Sequence, residues 1–239
     1  MNKTTIAFAG IVFGIAAAQG ATSPTDLEIT KTSALVSTKP ESPEAWSRYG
    51  EALMQKGRET GDAAYAGRAE AAFRKTLALS PKRLDALVGM AWVHGVRHEF
   101  EASIDWAQKA LAVDAKSTAA YGLLGDAAVE MGDYERAFES YQKMLDIRPD
   151  LASYGRSAHL LHLTGDTRKA SFLMYKAIQA GSPYAENTAW CRAQLALMMF
   201  SEGAYMPAQK LLEEGLTKNP NDYREWKKHH RHKNYLQQS

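Results

Sequence analysis

Residues 118–149 read TAAYGLLGDAAVEMGDYERAFESYQKMLDIRP, and this stretch decides the fold of the chain. Gly132 and Asp133 stand at its centre, where a glycine can end one helix and an aspartate can cap the next. Pro149 cannot continue a helix, so it closes the unit. The stretch therefore predicts two antiparallel helices joined by a tight turn.

The same pattern recurs along the chain from residue 43. Each copy of the pattern has a small residue near the start of its second helix, and successive copies place this residue 34, 34, 33 and 38 positions apart. The residues are Ala69, Ser103, Ala137, Ala170 and Ala208. A second set of small residues lets each first helix approach its partner closely, at Gly50, Ala91, Gly125, Ala158 and Ala196. One hairpin cannot bury its apolar face alone, so stacked neighbours must supply the core.

The pattern resembles the tetratricopeptide repeat, most closely in residues 118–149, where Tyr121, Leu124, Gly125, Ala128, Tyr134, Ala137, Tyr141 and Leu145 accompany the turn and the proline. The resemblance implies an all-α, right-handed superhelical solenoid of about five helix–turn–helix repeats, whose first helices line a concave face. The predicted repeats are 43–81, 84–115, 118–149, 151–182 and 189–220. Residues 221–239 are basic and are predicted to form a C-terminal capping helix or tail.

The N-terminal segment, residues 1–20, has the order of a secretory signal peptide. Lys3 precedes an apolar run from Ile6 to Ala18, and small residues close that run. The run is shorter than the roughly 20 residues that span a bilayer as a helix, so a short anchor is the alternative. We expect the protein to be exported, periplasmic or secreted, and membrane-anchored if the signal is kept. Residues 21–42, rich in Ser and Thr, are predicted to be a flexible leader.

The composition excludes several function classes. The single cysteine, Cys191, rules out an internal disulfide framework and Cys-based zinc or iron–sulfur sites. Lys plus Arg (29) nearly equals Asp plus Glu (27), which gives no signal for nucleic-acid binding. The sequence holds no nucleophile-elbow, phosphate-loop or zinc-protease motif. We therefore expect no enzyme, no cofactor and no metal centre.

Function in the tetratricopeptide family usually lies on the concave face, so the resemblance implies which residues meet a partner. One subfamily binds a terminal carboxylate through Lys and Asn, but here Ser47, Glu51, Gly122 and Asp126 stand at those places. We therefore expect a helical or extended apolar segment of a partner protein. The predicted groove residues are Arg48, Trp92, Asp126, Val129, Arg156, His159, His162, Trp190, Leu197 and Phe200.

Within this set, Trp92, Leu197 and Phe200 are the predicted apolar anchors, because aromatic side chains give large contact area at low entropic cost. The prediction is a non-catalytic interaction scaffold or assembly factor acting outside the cytoplasm. One alternative is a metal-binding protein that uses His159, His162 and Asp126. Another is a peripheral membrane adaptor, which would contact an anionic surface through the basic residues 223–235.

Overall fold

The computed structural model of the chain describes residues 23–181 and 185–218. The predicted signal peptide, Pro220 and the basic tail lie outside these residues. The described part contains eleven α-helices, and none of them is long and apolar enough to cross a membrane. They are α1 Pro24–Thr38, α2 Pro43–Thr60, α3 Ala64–Leu79, α4 Leu84–Val96, α5 Phe100–Val113, α6 Thr118–Glu130, α7 Tyr134–Ile147, α8 Leu151–Leu163, α9 Thr167–Ala180, α10 Ala185–Ser201 and α11 Tyr205–Lys218.

The turn inside each hairpin follows from its local sequence. Gly132 and Gly165 adopt φ values of 77° and 93°, a left-handed conformation that glycine tolerates without strain. The next residue then caps the second helix, because the side chains of Asp133 and Asp166 accept hydrogen bonds from backbone amides of the first turn. A glycine–aspartate pair thus ends one helix and starts the next within two residues.

The hairpins stack into two layers. The first helices, α2, α4, α6, α8 and α10, contact one another in succession and form the inner layer. The second helices, α3, α5, α7, α9 and α11, pack against the first helix of their own pair, and all but the last also contact the first helix of the following pair. Second helices of neighbouring pairs make no comparable contact within the described ranges. The prediction of an all-α solenoid is confirmed.

The core of each pair depends on helices that approach closely. The Phe73 ring is fully buried between α2 and α4, and a β-carbon on Gly50 would lie 2.5 Å from it. A β-carbon on Gly89 would lie 2.3 Å from the same ring. Both positions therefore exclude any side chain while Phe73 fills this space.

The prediction of a flexible leader is wrong for residues 24–38, which form α1. Ser23 and Asp26 make a capping box at its start. The helix packs antiparallel on α2, where Lys56 lies 2.6 Å from Asp26, and Ile29 packs against the core that contains Leu53. Helix α1 thus takes the place that a second helix of a preceding pair would occupy.

Helix α1 could not be predicted from apolar periodicity because the residues that this helix buries are mostly polar. Thr25, Thr32 and Val36 are its buried residues, so no sustained apolar period marks the helix. Thr32 is fully buried, and its hydroxyl donates to the Glu28 carbonyl at 2.6 Å. A buried threonine satisfied in this way needs no external partner.

The fifth pair differs from its predicted extent. Helix α10 begins at Ala185, four residues before the predicted boundary at residue 189. It is 17 residues long, whereas α4, α6 and α8 have 13 each. The difference is about one helical turn, which the repeat register does not reveal.

A candidate binding groove on the concave face

A groove of about 940 Å³ runs along the inner layer, with residues of α2, α4, α6, α8 and α10 in its wall. Six of the ten predicted groove residues line it: Trp92, Asp126, Val129, Arg156, His159 and Trp190. The wall also includes apolar residues of the same inner helices that are not among the ten predicted residues: Met54, Val88, Val96 and Leu123. The wall therefore combines aromatic and aliphatic surface with a few charged groups.

Four predicted residues lie elsewhere. Arg48 lines a smaller cavity of about 470 Å³ beside α1, and its guanidinium is 2.9 Å from Glu28. His162, Leu197 and Phe200 line neither cavity. Phe200 packs against the core of the fifth pair, so the structure does not place this predicted anchor in the groove. The candidate site therefore excludes these four residues.

A charged cluster on α6, α7 and α8 stands at the centre of the groove. Arg156 Nε lies 2.8 Å from Asp126 Oδ1, and Arg156 Nη2 lies 2.9 Å from Asp126 Oδ2. Tyr141 donates its hydroxyl proton to the same Asp126 Oδ1 at 2.8 Å. Two-point pairing of this kind fixes the plane of the guanidinium as well as its position.

Tyr141 and Arg156 keep their protons across the physiological pH range. Burial raises the pKa of Tyr141, and the nearby Asp126 carboxylate raises it further, so the phenol remains a donor. Burial alone would lower the pKa of Arg156, but the Asp126 carboxylate outweighs this effect and raises it. Arg156 therefore stays positively charged beside a carboxylate.

The pairing changes which group a ligand would meet. Asp126 accepts bonds on both oxygens from within the chain, so it orients Arg156 and Tyr141. Arg156 uses Nε and Nη2, while its Nη1 makes no hydrogen bond to any residue of the described ranges. Arg156 is thus the group with donors available to the groove.

Three groove side chains each lie over a glycine of the preceding inner helix. Trp92 covers Gly57, where a β-carbon would lie 3.2 Å from the indole. Arg156 covers Gly122 in the same way, also at 3.2 Å, and Trp190 covers Gly155 at 3.4 Å. A glycine at each of these positions leaves room for the close approach of the long side chain.

The repeat pattern did not predict these contacts between glycines and long side chains. Glycine inside a helix costs roughly 0.5–1 kcal/mol relative to alanine. Gly57, Gly122 and Gly155 all lie inside first helices and remained unexplained by the turns or by the contacts within a pair. Their shared place on inner helices was the signal that could have revealed it.

The histidines predicted for the groove do not form a metal cluster. The His159 ring lies edge-on to Trp190, with centroids 5.9 Å apart. Asp126, the third ligand of the metal hypothesis, is held by Arg156. No group of three His, Cys, Asp or Glu side chains suited to a metal ion occurs in the described part of the chain.

Comparison with known proteins supports the repeat and the fold. The family model described as tetratricopeptide repeat matches residues 118–151. No curated protein sequence gives a significant match. A thermophilic tetratricopeptide protein from Thermus thermophilus has a similar structure, with a TM-score of 0.69 and 18% identity over 82% of this chain and 99% of that one.

Two further solved structures extend the comparison. The Cut9–Hcn1 hetero-tetramer of the APC/C gives a TM-score of 0.71 at 18% identity over 83% of this chain, which spans 38% of that one. PilF of Pseudomonas aeruginosa gives a TM-score of 0.60 at 18% identity, over 82% of this chain and 84% of that one. At such identities the similarity shows the fold alone. Residues 118–151 thus match the tetratricopeptide repeat, and the described chain has the fold of a tetratricopeptide solenoid.

Proposed function

We propose that the chain is a non-catalytic interaction protein that binds a segment of a partner protein in its concave groove. Tetratricopeptide proteins generally mediate protein–protein interactions. The observation that carries the proposal is the groove of about 940 Å³, where Trp92 and Trp190 stand on either side of Arg156. This volume lies at the upper end of the range for ligand pockets, and the groove extends over five helices.

The chemistry of the wall favours an apolar segment. Trp92 and Trp190 are half-buried and already held in place, so little side-chain entropy is lost when a ligand covers them. Val88, Val96 and Leu123 add aliphatic surface along the same wall. A helix or extended strand with apolar residues on one side would cover this surface.

Arg156 adds one polar requirement. Its guanidinium is fixed by Asp126, so a ligand does not have to order it, and Nη1 has donors to offer. An acceptor on the ligand, a carbonyl or a carboxylate, would satisfy those donors. The proposed ligand is therefore an apolar segment with one acceptor that reaches the centre of the groove.

Location is part of the same proposal. The predicted signal peptide of residues 1–20 supports export, and we propose that the protein scaffolds or helps to assemble a complex outside the cytoplasm. Cell fractionation and N-terminal sequencing of the purified protein test this. Recovery from the cytoplasm with the intact N-terminus would contradict export but leave groove binding untouched.

Groove binding is tested with a matched pair of valines. Val96 is 40% exposed and lines the groove one turn after Trp92, whereas Val113 is 43% exposed on the outer helix α5. Val96→Glu places a charge on the apolar wall, and Val113→Glu places the same charge outside it. We expect native extract to yield a protein captured by wild type and by Val113→Glu but not by Val96→Glu.

The captured protein is then purified and titrated by calorimetry. We expect Val96→Glu to weaken its binding at least tenfold and Val113→Glu to leave it within twofold. Arg156→Gln should weaken it as well, because it removes the charged donors at the groove centre. Equal binding by Val96→Glu and Val113→Glu would show that the partner does not use the groove.

A further inference from the structure

The concave groove carries three hydrogen-bond donors along its length. The indole nitrogens of Trp92 on α4 and Trp190 on α10 form no hydrogen bond with another residue of the described ranges, and neither nitrogen is fully buried. Arg156 on α8 uses Nε and Nη2 for Asp126 and leaves Nη1 to the groove. An indole N–H and a guanidinium can only donate. A ligand that passes these three side chains must therefore supply acceptors.

The carboxylate at the groove centre is already used. Both Asp126 oxygens accept hydrogen bonds from Arg156, and one of them also accepts the Tyr141 hydroxyl. The wall beside them is aliphatic at Leu123, which offers neither donor nor acceptor. A ligand N–H buried at this point would stay without a partner, which costs free energy. The groove centre thus favours a ligand with carbonyls but few N–H groups.

The groove is balanced in charge. Three arginines and three carboxylates line it: Arg58, Arg148, Arg156, Asp62, Asp126 and Glu130. Arg156 Nε lies 2.8 Å from Asp126. Arg148 Nε lies 2.6 Å from Asp150, so two of the three arginines are already paired within the chain. A charged ligand would lose hydration and gain little from such neutralised groups. The groove therefore suits an uncharged segment.

The spacing of the inner helices indicates the conformation of that segment. Neighbouring inner helices pack directly on each other, which sets their axes about 8–10 Å apart. A polyproline II helix has three residues per turn and rises about 3.1 Å per residue, so it presents the same side about every 9.3 Å. The corresponding repeat is about 6.6 Å in a β-strand and about 5.4 Å in an α-helix. Of the three conformations, polyproline II matches the spacing of the inner helices.

The polyproline II conformation also leaves every ligand carbonyl available. It has no internal hydrogen bonds, whereas the carbonyls inside an α-helix are bonded within the helix. Proline favours this conformation and has no backbone N–H, so it adds acceptors without adding donors. Grooves lined by aromatic side chains are known to bind segments of this kind.

From these observations we infer that the groove binds an uncharged, proline-rich segment in the polyproline II conformation. The inference rests on the proposed function, because it names the class of segment that the groove binds. When one ligand residue packs on Trp92, the residue three positions along faces α6. The residue six positions along faces Arg156, and the residue nine positions along faces Trp190. A segment of about ten residues therefore reaches all three donors, over about 28 Å.

A decaproline peptide, acetylated and amidated so that it carries no charge, serves as the probe. Calorimetry with the purified full chain should give a dissociation constant on the order of 100 μM, because few groups are engaged. Hexaproline spans about 19 Å and cannot reach both tryptophans, so it should bind at least about tenfold more weakly. Raising NaCl from about 50 mM to about 500 mM should change the decaproline affinity less than about twofold, because no charged pair forms.

Variants test the donors one by one. Trp190→Phe keeps an aromatic ring but removes the indole N–H, so it should weaken decaproline binding about two- to tenfold. Trp46→Phe is the matched control, because Trp46 lines neither cavity and its indole donates to the Pro40 carbonyl at 2.8 Å. It should leave the affinity unchanged. Arg156→Gln removes the charged donor and should weaken binding about tenfold.

The other outcomes overturn the inference. Absence of decaproline binding at about 2 mM peptide excludes the expected affinity. Equal binding by wild type, Trp190→Phe and Arg156→Gln would show that decaproline does not use the groove donors. Tighter binding in the groove of an uncharged helical peptide of alanine, leucine and glutamine would assign the groove to a helical segment.

The capture experiment with Val96→Glu and Val113→Glu judges the proposed function separately. A partner that is lost only in Val96→Glu, together with no decaproline binding, would leave groove binding in place and overturn its proline-rich ligand. Decaproline binding that is lost in Val96→Glu, together with a partner that both variants capture equally, would support the ligand class and contradict the use of the groove by that partner.

Discussion

Replacement of Gly125 by alanine tests how tightly the third pair is packed. A β-carbon at this position would lie 2.4 Å from Cε1 of Tyr141 and 2.8 Å from its Cδ1. Carbon atoms pack best at about 3.5–4.0 Å, so the ring would have to retreat by more than about 1 Å. Tyr141 is only 4% exposed, and its hydroxyl is held by Asp126.

The magnitude follows from two opposing effects. Overpacking of a core costs about 1–3 kcal/mol, and a ring that is both buried and hydrogen-bonded places Gly125→Ala in the upper half of that range. The change from glycine to alanine also stabilises the helix itself by about 1 kcal/mol. We expect a net loss of about 1–2 kcal/mol, which lowers Tm by about 2–8 °C in a protein of this size.

The control is Gly67→Ala in α3, where a new β-carbon would have Arg97 Nη2, at 3.9 Å, as its single neighbour within 4 Å among the described residues. With space available, the helix preference acts alone, so this variant should gain about 0.5–1 kcal/mol. Thermal and urea unfolding followed by far-UV circular dichroism measures both. The reasoning is refuted if both substitutions change stability in the same direction.

Three further predictions concern acid stability, the cysteine and α1. Burial would raise the pKa of Glu70, but hydrogen bonds from Arg74 and Arg97 outweigh burial and lower the pKa below 4.5. The ionised Glu70 therefore stabilises the fold above pH 4.5, and this stabilisation is lost as the pH falls. Glu70→Gln should therefore flatten the acid limb of a plot of urea midpoint against pH; an unchanged limb contradicts this. Burial raises the pKa of Cys191 to about 12. The native thiol should therefore resist a thiol reagent at neutral pH and react only after unfolding. Rapid labelling of the native protein would show that the thiol is accessible. Ile29→Ala should cost about 1–2 kcal/mol in thermal unfolding because Ile29 packs into the core, while Leu27→Ala, at a 60% exposed position, should cost under about 0.5 kcal/mol.

The sequence sufficed for the solenoid because the repeat is local. Gly132 and Gly165 sit at turns whose backbone requires them, and Gly125 marks the contact of two helices within one pair. Each of these features is set by residues within about 35 positions of one another. Helix α1 escaped prediction because Thr25 and Thr32 bury polar atoms, which apolar periodicity does not detect.

The groove was only partly predictable because it depends on contacts between units. The repeat register placed Trp92, Arg156 and Trp190 on the concave face, where they are found. It did not predict that Arg156 of α8 would form an ion pair with Asp126 of α6. It also placed Phe200 in the groove, whereas the packing of α10 on α11 directs that ring into the core of the fifth pair.

The unequal contact of the two layers has a mechanical consequence. Inner helices touch their neighbours from α2 to α10, but outer helices of successive pairs do not touch in comparable fashion within the described ranges. Each outer helix except α11 also packs on the inner helix of the next pair. We therefore expect bending of the superhelix to change the gaps between outer helices more than the spacing of the inner helices. The spacing between Trp92, Arg156 and Trp190 along the groove should vary little as the curvature changes. The concave groove would then present its binding side chains at a nearly constant spacing while the outer surface changes shape.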